Sequence, residues 1–232
     1  NLFNREEYDS RRFVLVGVED TTKALGDLAL YNRNRAGVSV VAATGSNGKT
    51  TTRKMTAAVI RRRFSAFSSK GNFNNEIGLP LSLLGLGHEH QWAVVELGAN
   101  HPGEISYLAR ICRPDIAIVT NVGPAHLEGF GSLEGVASAK GEILDCMSPN
   151  GIAVLNADDE RVAAMAKRAP GEILFYGISK NARVRASRIE IFPMGSRFTL
   201  HTPKDEITIE INVPGAFMVL NALAAASAGY LA

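Results

Sequence analysis

A short apolar run, Val38-Ser39-Val40-Val41-Ala42-Ala43, leads almost directly into Gly45-Ser46-Asn47-Gly48-Lys49-Thr50-Thr51. A strand of that composition is buried on both faces, so the sheet that holds it must be covered by helices above and below. The glycines allow a tight turn, and residues 50–63 then place Met55, Ala58 and Val59 on one helical face. Strand, glycine turn and helix in that order aim backbone N–H groups and the positive end of a helix at one point, which is a seat for phosphate. Lys49 is expected to bridge the terminal phosphates of ATP, and the Thr50 hydroxyl to face magnesium. The general phosphate-loop pattern has glycine where Ala43 stands, and Gly45 supplies the flexibility instead.

The rest of the chain repeats the alternation. A strand is expected at 12–18 and a helix at 21–31. Further strands are expected at 92–97, 115–120, 151–155 and 173–176, with helices at 103–112, 133–147 and 158–168. Strands alternating with helices predict an α/β fold, a mostly parallel sheet with helices on both faces. After Gly177 the period changes. Residues 184–191, 197–201 and 207–211 alternate apolar and polar, separated by Pro193-Met194-Gly195 and Pro203-Lys204-Asp205. These read as antiparallel strands with one wet face, added at the edge of the parallel sheet near the C-terminus.

Composition narrows the function classes. Hydrophobic residues make up 46% and charged residues 21% of the 232 residues, enough for a sizeable core. The net charge of +2 is too small to argue for nucleic acid or an anionic membrane. The one dense basic run, Arg61-Arg62-Arg63, lacks interleaved aromatic residues and suits the negative end of a helix. Residues 213–232 carry no charge, but Pro214, Gly215, Asn221 and Gly229 interrupt them, so a buried helix is expected and not a membrane span. Cys112 and Cys146 stand far apart, as small core thiols of a cytoplasmic protein do. The start, residues 1–12, is polar and charged, unlike a signal peptide.

Three more residues carry candidate chemistry. Glu96 ends a strand, where ligands of open parallel sheets gather and a carboxylate can hold magnesium, although a solvated loop carboxylate has the same position. His126, in Asn121-Val122-Gly123-Pro124-Ala125-His126, lies just past another strand, and by spacing alone a structural role is the more ordinary one. Lys140 lies on a helix lined by Leu133, Val136, Ile143 and Leu144, where a lysine ordinarily snorkels to solvent.

Four segments in order carry a resemblance. They are Thr44-Gly45-Ser46-Asn47-Gly48-Lys49-Thr50-Thr51-Thr52, Gly71-Asn72-Phe73-Asn74-Asn75-Glu76-Ile77-Gly78-Leu79-Pro80-Leu81, Glu96-Leu97-Gly98-Ala99-Asn100-His101-Pro102-Gly103-Glu104-Ile105, and residues 121–132, which run from Asn121 to Ser132. Together they resemble the Mur ligases, which build the peptidoglycan precursor, and within them the branch that joins D-alanyl-D-alanine to UDP-N-acetylmuramoyl-tripeptide. The similarity runs from about Val14 to the C-terminus. It implies a three-domain enzyme, of which residues 1–35 would be the tail of the UDP-sugar domain and 36–232 the central ATPase domain. The start without methionine and the end inside a helical pattern are in line with a fragment lacking the C-terminal domain, and a monomer is expected.

The resemblance also implies roles. Lys49 matches the phosphate-binding lysine, Thr50 and Glu96 match magnesium ligands, and His126 matches a metal-binding histidine. Lys140 matches a lysine that is carbamylated in related ligases, which turns a cation into an anionic oxygen ligand for a second magnesium. Asn74 and Asn75 match residues lining the muramoyl-peptide site, and Asn221 the asparagine that hydrogen-bonds adenine. The implied reaction has a substrate carboxylate attack the γ-phosphate of ATP, and the dipeptide amine then displace phosphate from the acyl phosphate. The catalytic residues would be Lys49, His126 and Lys140. One departure stands out: where the family reads Gly-Arg-His-Asn, this chain reads Gly215-Ala216-Phe217-Met218. The alternatives are a folate- or cyanophycin-type ligase of the same superfamily and a non-catalytic nucleotide-binding module.

Overall fold

The computed structural model describes residues 14–232. Its elements run α1 (Thr21–Ala36), β1 (Ser39–Thr44), α2 (Lys49–Ile60), β2 (Ala66–Ser68), α3 (Gly78–Leu83), β3 (Trp92–Glu96), α4 (Glu104–Cys112) and β4 (Ile116–Val119). They continue with α5 (Leu127–Phe130), α6 (Leu133–Asp145), β5 (Ile152–Asn156), α7 (Glu160–Ala164) with a following 3₁₀ turn, β6 (Ile173–Gly177), β7 (Val184–Phe192), β8 (Gly195–His201), β9 (Glu206–Ile211) and α8 (Ala216–Leu231).

The strands form one sheet in the order β2-β3-β1-β4-β5-β6-β7-β8-β9. Pairing is parallel from β2 through β7 and antiparallel from β7 to β9, as the change of period after Gly177 predicts. The sheet is continuous, because β7 pairs with β6 at Val184 and Arg185 before turning back. In β1, Val40 and Ala42 enter the cluster covered by α1, α3, α4 and α6, while Val41 and Ala43 enter the cluster covered by α2 and α8. That alternation is why Val40 to Ala43 are all apolar: both faces of the strand there are interior. No helix among the described residues is long and apolar enough to cross a membrane. In α8 the buried residues include Val219, Leu223, Ala224 and Ala228, and the helix packs on α2.

Several expectations need correction. The strand expected at 12–18 lies partly outside the described residues, and Val14 to Val18 form no strand. All five are exposed, Val14 at 88%, so neither face of a strand there would be buried. The helix after them extends to Ala36, where Gly37 closes it in a left-handed conformation. Helix α2 stops at Ile60, so the arginine run forms the turn beyond it, and the Arg61 guanidinium donates to the Ala66 carbonyl. The expected helix at 158–168 is one short helix that tightens into the 3₁₀ turn. The short elements β2, α3 and α5 have too few residues to show a period, and the apolar pattern does not reveal them.

Helix α1 docks on the central sheet's helical layer through polar side chains. The buried Asn32 amide donates to the carbonyls of Leu83 at 2.9 Å and Leu86 at 3.0 Å, while the Arg33 guanidinium donates to the Cys112 carbonyl at 3.0 Å. The Leu83 and Cys112 carbonyls are those of the last residues of α3 and α4, where helices leave acceptors short of donors, and Leu86 lies in the turn after α3. Asn32→Ala is therefore expected to destabilise the fold by about 2 kcal/mol, measured by denaturant unfolding, because it removes the amide donor from the buried Leu86 carbonyl.

Candidate functional site

The phosphate loop sits where the strand order reverses, between the C-terminal ends of β1, β3 and β4. Two glycines make its shape. Gly45 has φ 144° and a Cβ there would lie 2.0 Å from the Thr120 hydroxyl; Gly48 has φ 81° and a Cβ would lie 2.5 Å from Asn221 Oδ1. Either close approach bars a side chain, and the left-handed φ of Gly48 lets α2 begin at Lys49.

Partners on all sides hold the loop. Ser46 Oγ donates to the Gly123 carbonyl at 3.0 Å and accepts from the Gly123 N–H at 2.9 Å. Asn121 Oδ1 accepts from the Asn47 N–H, and its Nδ2 donates to the Asn47 carbonyl, both at 3.0 Å. The Thr44 hydroxyl donates to the Leu97 carbonyl at 2.9 Å, tying β1 to the end of β3. Lys49 Nζ donates to the carbonyls of Gly45 at 2.8 Å and Ser46 at 3.1 Å, so the ammonium lies over the loop. Burial holds that ammonium below the ordinary lysine range, with Glu96 pulling the other way.

Glu96 is 2% exposed and takes contacts from three segments. The Thr50 hydroxyl donates to its Oε2 at 2.9 Å, Asn74 Nδ2 donates to its Oε1 at 2.7 Å, and Arg53 Nε faces Oε2 at 3.5 Å. The solvated-loop alternative for Glu96 is thus excluded. Nothing in the sequence singles out Arg53, although it sits one helical turn beyond Thr50. Its guanidinium also donates to Ser68 Oγ and to the carbonyls of Ser69 and Gly71, pinning β2 and the segment that carries Asn74.

These residues line one cleft of about 590 Å³, with Lys49, Thr50 and Glu96 on one wall and Asn72, Asn74 and Asn75 on another. Asn75 has a structural duty as well, since its Oδ1 accepts from the Gly78 N–H at the start of α3. Asn100, His101 and Glu104 line the cleft too. They follow Glu96 in the same stretch of chain, and their spacing alone suggests no role. Glu104 accepts from the N–H groups of Asn100 at 2.7 Å and His101 at 3.3 Å, which lowers its pKa against the opposing effect of burial. His126 also faces the cleft, from a left-handed backbone with φ 53° that lies at the start of α5.

Lys140 does not snorkel to solvent. It is 1% exposed, with Nζ 5.4 Å from the centre of the Phe130 ring. Burial, with the nearby positive charge of Lys49, lowers its pKa to about 8. It is not among the residues lining the cleft, whereas His126 is. Asn221 lies behind the loop: its Oδ1 accepts from the Thr52 hydroxyl at 3.2 Å.

For magnesium, Thr50 Oγ1 and Glu96 Oε2 offer two adjacent hard oxygens at the phosphate loop, a donor set that suits the ion. Among the described residues no group of three His, Cys, Asp or Glu side chains is placed to hold a metal, so other oxygens must complete the shell.

The sequence matches the Mur ligase middle domain over residues 43–229. It is 43% identical over 213 residues to the UDP-N-acetylmuramoyl-tripeptide–D-alanyl-D-alanine ligase of Escherichia coli strain K12, an alignment that covers 90% of this chain and 47% of that protein. It is 35% identical over 212 residues to the ligase of the same name from Bacillus subtilis strain 168, covering 91% of this chain and 45% of that one. The fold matches MurF from Acinetobacter baumannii with a TM-score of 0.89 and 39% identity over 94% of this chain and 48% of that one. It matches MurF ligase from Thermotoga maritima in complex with ADP with a TM-score of 0.84 and 31% identity, over 96% of this chain and 52% of that one. The chain spans about half the length of the curated relatives it matches. The loop on a parallel sheet, the buried glutamate facing its threonine and the middle-domain match over residues 43–229 lead to one conclusion: this chain belongs to the Mur ligase family.

Proposed function

We propose that this chain is the ATP-binding core of a ligase that joins D-alanyl-D-alanine to UDP-N-acetylmuramoyl-tripeptide. The observation that carries the reading is the Thr50–Glu96–Asn74 chain of hydrogen bonds, which joins the phosphate loop to the amide-rich wall of one cleft. Residues 36–232 would form the central domain, with 1–35 as the connection from a UDP-sugar domain, and the docking of α1 on α3 and α4 supports a firmly anchored connection. Free Cys112 and Cys146 accord with a reducing, cytoplasmic setting.

In this reading the backbone N–H groups of residues 48–50 hold the phosphates of ATP, and the Lys49 protons pass from loop carbonyls to phosphate oxygens. Asn74 and Asn75 orient the muramoyl-peptide so that its carboxylate meets the γ-phosphate. That carboxylate forms a new O–P bond as ADP leaves, and the dipeptide amine then forms the amide as phosphate leaves. Two anions must approach each other, so the chain's main contribution is alignment and charge neutralisation. Magnesium at Thr50 and Glu96, with a second ion held by His126 and a carbamate on Lys140, would supply the remaining positive charge. Support for the carbamate is the burial of Lys140 and its pKa of about 8, since only a neutral amine adds carbon dioxide.

Lys49→Ala is expected to weaken magnesium-ATP binding by about tenfold or more, the scale of one charge-assisted hydrogen bond. Calorimetry on the purified chain tests this, and unchanged affinity would refute the role of the loop. For Lys140, ¹³C-labelled bicarbonate should give a carbamate resonance that strengthens as pH rises through about 8, where the amine loses its proton. The same spectrum from Lys140→Met should lack it. A spectrum without the resonance at any pH would count against the carbamate.

A further inference from the structure

Three polar side chains line up across three strands at the antiparallel edge of the sheet. They are Ser187 on β7, His201 on β8 and Glu206 on β9. None of them lines the cleft at the phosphate loop. Glu206 Oε2 lies 3.1 Å from His201 Nδ1, and Ser187 Oγ lies 2.6 Å from His201 Nε2.

Strand pairing alone explains only half of this chain of contacts. His201 and Glu206 are register partners, and directly opposite residues of an antiparallel pair meet as a matter of course. Toward β7, however, His201 is opposite Arg185, and Ser187 is opposite Thr199. The contact between Ser187 and His201 is therefore a diagonal one. Just beyond Ser187 the ladder slips, with a register shift between Ser187 and Glu190. Arg188 in that bulge has φ 50°, one of three positive values at non-glycine residues among the described residues. A left-handed backbone at a long side chain is costly and persists only where its surroundings impose it, and bulges re-aim the side chains beside them.

The carboxylate sets the direction of the hydrogen bonds. It can only accept, so it holds the hydrogen of the neutral imidazole on Nδ1 and leaves the Nε2 lone pair to face Ser187. The Ser187 hydroxyl then donates to Nε2. A hydroxyl bonded to a base that a carboxylate orients is an activated nucleophile. Ser187 is half-buried, while the His201 and Glu206 side chains are 18% and 57% exposed, so a small molecule can reach the hydroxyl from solvent.

We infer that Ser187, His201 and Glu206 form a second reactive site, separate from the nucleotide chemistry, whose substrates are small activated acyl esters. Ser187 Oγ attacks the ester carbonyl and forms an Oγ–C bond while its proton passes to Nε2. The bond from the carbonyl carbon to the alcohol or phenol oxygen breaks, and the proton on Nε2 goes to that leaving oxygen. Water then gives a proton to the freed Nε2 and attacks the acyl-serine. The acid departs, and Oγ recovers its proton from Nε2.

Treatment of the full chain with p-nitrophenyl acetate and, separately, with a fluorophosphonate tests this, with peptide mass spectrometry to place the adduct. The expected result is protein-dependent release of p-nitrophenol and a fluorophosphonate adduct on Ser187. Ser187→Ala and His201→Ala should each slow that release by about a hundredfold, the scale of general-base catalysis. Glu206→Gln should slow it by about tenfold, a smaller loss because the carboxylate is largely exposed and screened. Equal thermal melting of the variants confirms that folding is intact. The wild-type adduct map decides the question without any variant: no adduct on Ser187, or an adduct on His201 in its place, overturns the proposal. Release that Ser187→Ala leaves undiminished overturns it as well.

Discussion

A buried carboxylate at the end of β3 governs the geometry around it. An anion out of water is costly unless charges and donors surround it. Glu96 has three such partners, and each comes from a different place in the chain: Thr50 from the start of α2, Arg53 one turn later, and Asn74 from the connection between β2 and α3. Loss of any one would leave the charge undercompensated, so the loop helix, the central strand and the edge connection are held in one arrangement. Arg53 extends the lock outward through the Ser69 and Gly71 carbonyls. The cleft wall is preorganised as a consequence of keeping one charge satisfied.

The sheet supplies the frame on which this works. Parallel pairing from β2 to β7 brings the C-terminal ends of the strands to one edge, and β1 at the reversal of strand order has connections leaving to both sides. The antiparallel β7–β9 extension serves another purpose. Its inner face, with Phe198 and Leu200 buried, continues the core that α8 covers, and α8 then crosses back to α2. That return sets Asn221 against Gly48 and Thr52, so the last helix buttresses the loop that begins the site.

The loop divides two environments. Toward Glu96 the cleft is lined with charged side chains and amides. Toward α8 a second cavity mixes amides and carboxylates with apolar side chains. A residue's sequence neighbours do not indicate which side it serves. Lys49 and Gly48 are adjacent, yet Gly48 is shared by both cavities and the Lys49 ammonium lines only the first.

Much of this is legible in the chain of residues. The period of the apolar residues determines the alternating strands and helices, the change to an antiparallel meander after Gly177, and a strand buried on both faces, because side-chain spacing reports directly which faces meet water. The glycine loop with Lys49 and Thr50 is legible because the phosphate seat is built from consecutive backbone groups. The short elements β2, α3 and α5 are not, having too few residues to show a period. Lys140 and Arg53 are not legible either: whether a long cationic side chain reaches solvent or turns inward depends on what packs above it, and only Phe130 and Glu96, distant in sequence, decide that. By itself the sequence determined the fold class and the loop, which depend on local pattern. The tertiary structure alone decided the partners of Glu96, the burial of Lys140 and the engagement of Asn221, because each is set by contacts between segments that no spacing along the chain encodes.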